Sequence, residues 1–164
     1  MPAKKRYAVC GVSNRALGMF ITPLVRMFGE HGELVALLDI DPKRFEVCAE
    51  TVPETKGLPT YLGEESFDKM CSETKPDVII ATGIDRTHVL YILRALAKDL
   101  DVISEKPMTS TAADSKRVLE AEKKSKGRVT VTFNVRYVAE SRRIKELILE
   151  GKLGRITHVD LNWY

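Results

Sequence analysis

Residues 6–16 read RYAVCGVSNRA, an apolar run that reaches a glycine at Gly11 and then the loop Val12, Ser13, Asn14, Arg15 and Ala16. Such a run, breaking on a glycine and followed by helix-compatible sequence, predicts a buried strand at Arg6 to Gly11 that turns sharply into a helix. Gly11, Ser13 and Ala16 fall on the three small-residue positions of the G-x-G-x-x-G/A pattern. Its physical requirements are a tight turn, close approach of backbone N–H groups to a diphosphate, and close packing where helix leaves strand. Ser13 departs from that pattern: a Cβ narrows the space for the diphosphate, while its hydroxyl can offer a compensating hydrogen bond. The Asn14 amide and the Arg15 guanidinium are further groups able to face the anion. Without context the loop reads equally well as a plain strand-to-helix turn.

Short β-branched runs alternate with longer amphipathic segments on either side of this loop. A helix is predicted over Gly18 to Gly32, with Met19, Leu24, Met27 and Phe28 on one face. A strand follows over Glu33 to Ile40, then a helix over Lys43 to Glu50 opened by Asp41-Pro42. Thr60 to Leu62 is a short strand and Glu64 to Glu73 a helix. Asp77 to Thr82 (DVIIAT) is the clearest strand, its continuous apolar run suited to burial on both faces of a parallel sheet. Helix Thr87 to Lys98, strand Asp101 to Ser104, helix Ala112 to Ser125 capped by Ser110 or Thr111, and strand Arg128 to Phe133 complete the series. This β-α-β-α order with right-handed crossovers predicts an α/β doubly wound parallel sheet. After a helix from about Ala139 to Glu150, Arg155 to Tyr164 alternates like an antiparallel strand. With no later segment to pair with it, Leu161, Trp163 and Tyr164 would stand on an open edge. The expectation is therefore a chain cut at the first strand of a second domain, with a dinucleotide-binding domain at 1–135 and a junction helix and strand at 136–164.

Asp39 closes the second predicted strand, near the ~20-residue spacing at which an acid accepts from an adenosine ribose. Its other reading is a cap, with Asp41, for the next helix. A carboxylate there repels a ribose 2′-phosphate, so NAD is favoured over NADP; Lys43 and Arg44 nearby weaken that preference. Thr82 and Gly83 end the central strand, where ligands of open parallel sheets gather; Gly83 either admits a cofactor close to the backbone or simply makes the turn. His88 opens the following helix as a structural or a site residue.

With 164 residues, the chain suits one domain on a prior of ~150 residues. Its 44% hydrophobic and 30% charged content excludes disordered, collagenous and disulfide-scaffold classes. A net charge of +3 is scattered apart from Lys4, Lys5 and Arg6 and from Lys123, Lys124 and Lys126, neither cluster interleaved with aromatics, so no nucleic-acid partner is expected. No stretch is apolar for long enough to serve as a signal or membrane span, and a cytoplasmic location is expected. Cys10, Cys48 and Cys71 lack Cys-x-x-Cys spacing and read as reduced, buried thiols; with His31, His88 and His158 far apart, no metal site is expected.

The next strand runs into Ser104-Glu105-Lys106-Pro107. Together with Asp77 to Thr82, the segment Thr82-Gly-Ile-Asp-Arg-Thr-His88, and Phe133-Asn134-x-Arg136-Tyr137, this series resembles, in order and spacing, the Gfo/Idh/MocA oxidoreductases. The resemblance covers essentially the whole chain and rests on the ordered combination, since no single motif is specific. It implies a Rossmann NAD(P)-binding domain followed by an α/β substrate domain, here largely absent, whose sheet often forms a homo-oligomer interface. It further implies an NAD(P)-dependent dehydrogenase of sugar, cyclitol or related polyol substrates, or a nucleotide-binding regulator on the same fold.

The resemblance makes Lys106 the catalytic lysine, sets Glu105 near the nicotinamide, and has Pro107 follow a cis peptide that shapes the turn. A lysine serves as base only where its surroundings favour the neutral form, and Glu105 would oppose this if it paired with Lys106. Adjacent strand residues point to opposite faces, so the two need not meet. Asn134, Arg136 and Tyr137 either contact cofactor or substrate, or pack the domain junction. Two departures from the family stand out. Gly83 replaces the proline often found after the strand threonine, and the chain holds no Asp-x-x-x-His arrangement of the kind catalytic members carry in their second domain.

Overall fold

The computed structural model describes residues 4–162. Six parallel strands form one sheet: β1 (Lys5–Cys10), β2 (Gly32–Asp39), β3 (Thr60–Leu62), β4 (Val78–Ala81), β5 (Asp101–Ser104) and β6 (Val129–Val131), in the order β3-β2-β1-β4-β5-β6. The doubly wound sheet expected from the sequence is the sheet observed. Strand order reverses between β1 and β4, and open α/β sheets bind ligands at such a point, beyond the carboxyl ends of the strands.

The pleat sends alternate residues to opposite faces, and each face has its own core. Ala8, Cys10, Ala36, Leu38, Ile79, Ala81 and Val102 pack against Phe67, Met70, Tyr91, Ile92, Ala95 and Val118. These come from helices α3 (Phe67–Thr74), α4 (Asp85–Leu96) and α5 (Ala112–Lys124). Val9, Leu34, Leu37 and Ile80 on the other face pack against Ala16, Leu17, Ile21 and Cys48, from α1 (14–26) and α2 (Lys43–Thr51). At the start of α5, Thr111 is the cap, accepting the Asp114 N–H at 3.0 Å.

Helix α1 corrects the sequence expectation. It starts at Asn14 rather than Gly18, because the Ser13 hydroxyl accepts the Ala16 N–H and caps it. It ends at Arg26, and Gly32 already belongs to β2. A π-helical turn, Leu17–Ile21, interrupts it just ahead of Pro23. Proline lacks an N–H and crowds the carbonyl four residues earlier, which a widened turn relieves. The buried residues of α1 are Ala16, Leu17 and Ile21; Met19 is exposed, and Met27 and Phe28, also exposed, lie past its end.

The chain divides into two units, one reaching to Thr132 and one starting at Phe133. The second holds a short 3-10 turn, Asn134–Tyr137, and helix α6 (Ala139–Leu149). Residues 155–162 form no strand, contrary to the expectation for Arg155 to Tyr164: the apolar alternation is present, but strand structure also needs a hydrogen-bonded neighbour. Trp163 and Tyr164 lie outside the described residues.

Candidate functional site

In-register pairing of Cys10 with Leu38 and Ala81, and of Ala81 with Ser104, aligns the carboxyl ends of β1, β2, β4 and β5. The loops leaving these strands therefore meet. Gly11 has φ +100°, and a Cβ there would fall on the backbone nitrogen and α-carbon of Gly83. Thr82 sits beneath, its hydroxyl donating to the Gly11 carbonyl at 2.6 Å. The first and fourth strand loops are thus in backbone contact, and glycine is required at position 11.

Asp39 is buried at 4% exposure, and both carboxylate oxygens are engaged. Oδ2 accepts the Val12 N–H at 2.6 Å, Oδ1 accepts the Asp41 N–H at 3.0 Å, and Arg44 Nε lies 3.6 Å from Oδ1. One side chain so fixes the glycine loop, the entry to α2 and the nearest guanidinium. Each carboxylate oxygen keeps a further lone pair. Asp41 itself accepts the Lys43 N–H at 3.0 Å, so capping of α2 falls to it.

A crevice opens beside this acid, lined by Gly11, Asp39, Ile40, Arg44, Glu64, Gly83, Ile84, Thr87 and Tyr91. Ile40 and Ile84 stand at its mouth with 55% and 51% of their surface exposed, an apolar pair suited to the faces of a flat ring. Sequence reasoning missed both. Their signal was an apolar residue directly after each strand-end motif, Asp39 and Gly83. Burial pushes the Tyr91 phenol and the Cys10 thiol well up, so neither serves as a proton carrier or nucleophile near neutrality. Cys10, Cys48 and Cys71 are free and buried, as expected.

Ser13, Asn14, Arg15 and Ala16 form the first turn of α1 beside this crevice. The Ser13 hydroxyl is turned inward, donating to the Thr82 carbonyl at 3.3 Å while capping the helix. Arg15 reaches from this turn to β5, its Nε donating to Glu105 Oε1 at 2.9 Å. Glu105 Oε2 accepts the backbone N–H of Lys106 at 3.0 Å. On the other side of Lys106, His88 is buried and donates from Nδ1 to the Pro107 carbonyl at 2.8 Å, with Nε2 3.2 Å from the Gly83 carbonyl. The Lys106–Pro107 peptide is cis. Lys106 is exposed, and among the described residues its Nζ makes no hydrogen bond or ion pair. Asn134 belongs to the second unit. Among the described residues, no group of three or more His, Cys, Asp or Glu is placed to hold a metal, and no helix is long and apolar enough to cross a membrane.

A parallel sheet with a glycine turn at its switch point, an acid closing β2 and an apolar-mouthed crevice between them defines a dinucleotide-binding domain of the Rossmann class. The glycine turn, the acid with spare lone pairs and the apolar pair fit an adenine dinucleotide. The family model described as "Oxidoreductase family, NAD-binding Rossmann fold" (GFO_IDH_MocA) matches residues 5–133, and the chain belongs to that family. It is 53% identical over 160 residues to YteT of Bacillus subtilis, a protein named as an oxidoreductase, covering 98% of this chain and 37% of YteT. It is 33% identical over 122 residues to inositol 2-dehydrogenase of Rubrobacter xylanophilus, covering 74% of this chain and 33% of that enzyme. Among solved structures, WlbA dehydrogenase of Bordetella pertussis in complex with NADH and UDP-GlcNAcA superposes with TM-score 0.80 at 22% identity. The match covers 93% of this chain and 44% of that one. Myo-inositol dehydrogenase of Lactobacillus casei in complex with NAD(H) and myo-inositol gives TM-score 0.78 at 23% identity, covering 93% and 43%. The chain thus spans less than half the length of these relatives.

Proposed function

We propose that this chain is the cofactor-binding part of an NAD-dependent dehydrogenase acting on a sugar, cyclitol or related polyol, with Lys106 as the base. The observation that carries the proposal is the convergence of three loops. The Gly11 turn, the Gly83 turn and the Glu105-Lys106-Pro107 turn meet at the switch point, with an exposed ammonium beside them that is unpaired among the described residues. The inositol 2-dehydrogenases among the relatives support the substrate class.

In this reading the helix turn at Ser13, Asn14, Arg15 and Ala16 faces the diphosphate. Asp39 offers its remaining lone pairs to the adenosine ribose, Arg44 flanks that ribose, and Ile40 and Ile84 enclose the adenine. Thr82, Gly83, His88, Glu105 and Pro107 shape the nicotinamide end. A carboxylate at the ribose disfavours a 2′-phosphate, so NAD is preferred to NADP. The bound dinucleotide supplies hydride acceptance. Lys106 Nζ, in its neutral form, takes the hydroxyl proton of the alcohol as the carbon-bound hydrogen departs with its electron pair, and a ketone remains.

The test uses the full-length protein: fluorescence titration with NADH and NADPH, then NAD reduction with a polyol panel that includes myo-inositol. NADH binding and turnover of a polyol are expected, with Lys106→Ala lowering kcat by about 10² to 10⁴ and leaving NADH affinity close to wild type. Absence of NADH binding to folded protein overturns the reading, and unchanged turnover in Lys106→Ala removes it as the base. NADH binding with no turnover across the panel marks a nucleotide-binding regulator instead.

A further inference from the structure

We propose that Arg15 is a positioning residue for Lys106: it holds the Glu105 carboxylate away from the lysine ammonium and so keeps that ammonium without a counter-ion. The inference rests on the reading of Lys106 as the base.

A carboxylate and an ammonium on consecutive residues are a hazard for a catalytic lysine. An opposite charge within reach stabilises the protonated form, and a base must be neutral to act. The flexible four-carbon stem of lysine can bring Nζ back to the preceding side chain. Nothing in the sequence of Glu105-Lys106-Pro107 prevents that pairing, because both residues follow the end of β5 and the strict alternation of a strand no longer separates them.

The structure supplies the missing restraint. The backbone of Glu105 is pinned, its N–H donating to the Ala81 carbonyl at 2.9 Å and its carbonyl accepting from the Ser104 hydroxyl at 2.9 Å. Its side chain is only 6% exposed, so the carboxylate cannot relax into water and must find partners within the protein. It has two. Oε1 takes the Arg15 guanidinium, and Oε2 curls back onto the backbone N–H of Lys106 rather than onto its Nζ. Arg15 suits the task because its charge is permanent and its donors form a rigid planar fork, which a lysine could reproduce in charge but not in shape. The pair also couples the diphosphate turn of α1 to the lysine turn after β5.

The experiment is trace acetylation of the full-length protein with acetic anhydride at fixed pH, with peptide mass spectrometry reading Lys106 relative to the exposed Lys56. Without Arg15 the buried carboxylate turns to the next cation, so Arg15→Gln is expected to lower relative Lys106 labelling about three- to tenfold. Arg15→Lys retains a counter-charge and recovers part of the loss. The double variant Arg15→Gln with Glu105→Gln removes the competing charge and returns labelling to wild type or above, which a merely structural role for Arg15 would not produce. It also leaves no unpaired buried charge, so it remains informative if Arg15→Gln folds poorly. Unchanged labelling in Arg15→Gln, or a double variant as unreactive as the single one, overturns the proposal. Because labelling needs no turnover, its outcome is separate from that of Lys106→Ala: labelling can respond as expected even if the lysine proves not to be the base.

Discussion

Gly11 and Gly83 touch backbone to backbone, so that the turn after β1 and the turn after β4 act as one surface. The two glycines differ in what a methyl group would meet. At Gly11 it would strike rigid backbone and would also have to tolerate φ +100°, which L side chains rarely adopt. At Gly83 it would meet the Thr87 hydroxyl at 2.7 Å, the end of a side chain that can rotate. Gly11→Ala is therefore expected to cost about 2–5 kcal/mol in urea unfolding and to abolish NADH binding, while Gly83→Ala costs about 1 kcal/mol. Equal losses at the two positions would contradict the asymmetry.

Asp39 combines a structural and a proposed recognition role, and Asp39→Asn separates them. The amide nitrogen would face either the Val12 or the Asp41 N–H, donor against donor, at a cost of about 1–3 kcal/mol. If the carboxylate also selects the cofactor, NADH binding weakens about tenfold and the preference for NADH over NADPH narrows. A lower unfolding midpoint with an unchanged NADH to NADPH ratio would confine Asp39 to the fold.

The sheet was legible because its signals are local. The unbroken apolar run at Asp77 to Thr82 and the turn chemistry of Asp41-Pro42 each need no knowledge of distant residues. Helix α1 starts ahead of its expected position because Ser13, considered as a diphosphate residue, is the cap. The alternation in 155–164 records a face but cannot supply the neighbour that makes it a strand. The positions of Asp39, Thr82 and Lys106 at the carboxyl ends of their strands were readable. The ion pair of Arg15 with Glu105 joins residues separated by 90 positions and follows only from strand order.

His88 bridges the carbonyls of two turns, Gly83 after β4 and Pro107 after β5. It is one of the largest fully buried side chains, so His88→Ala removes both a donor and core volume. A loss of about 2–4 kcal/mol is expected. His88→Gln keeps one N–H able to reach a carbonyl and should recover about 1 kcal/mol of it. If the two variants unfold at the same urea concentration, the ring acts through volume alone.

Away from the site, Arg26 at the end of α1 clasps Glu54 through two hydrogen bonds of 2.7 and 3.0 Å. Those hydrogen bonds, chiefly, hold the Glu54 carboxyl down from 4.5 to about 2. A carboxyl depressed on folding binds protons more weakly in the native than in the unfolded state. Its contribution is complete above about pH 4.5 and is lost as pH falls toward about 2. Asp68, held down by Lys98 and Arg94, and Asp101, held down by Lys5, act in the same direction. The melting temperature should fall steadily as pH drops below about 4.5, and Glu54→Gln should make that acid limb shallower while lowering stability at neutral pH only slightly, since the pair is solvent-exposed. An acid limb of unchanged slope in Glu54→Gln would place the linkage in the aspartates instead.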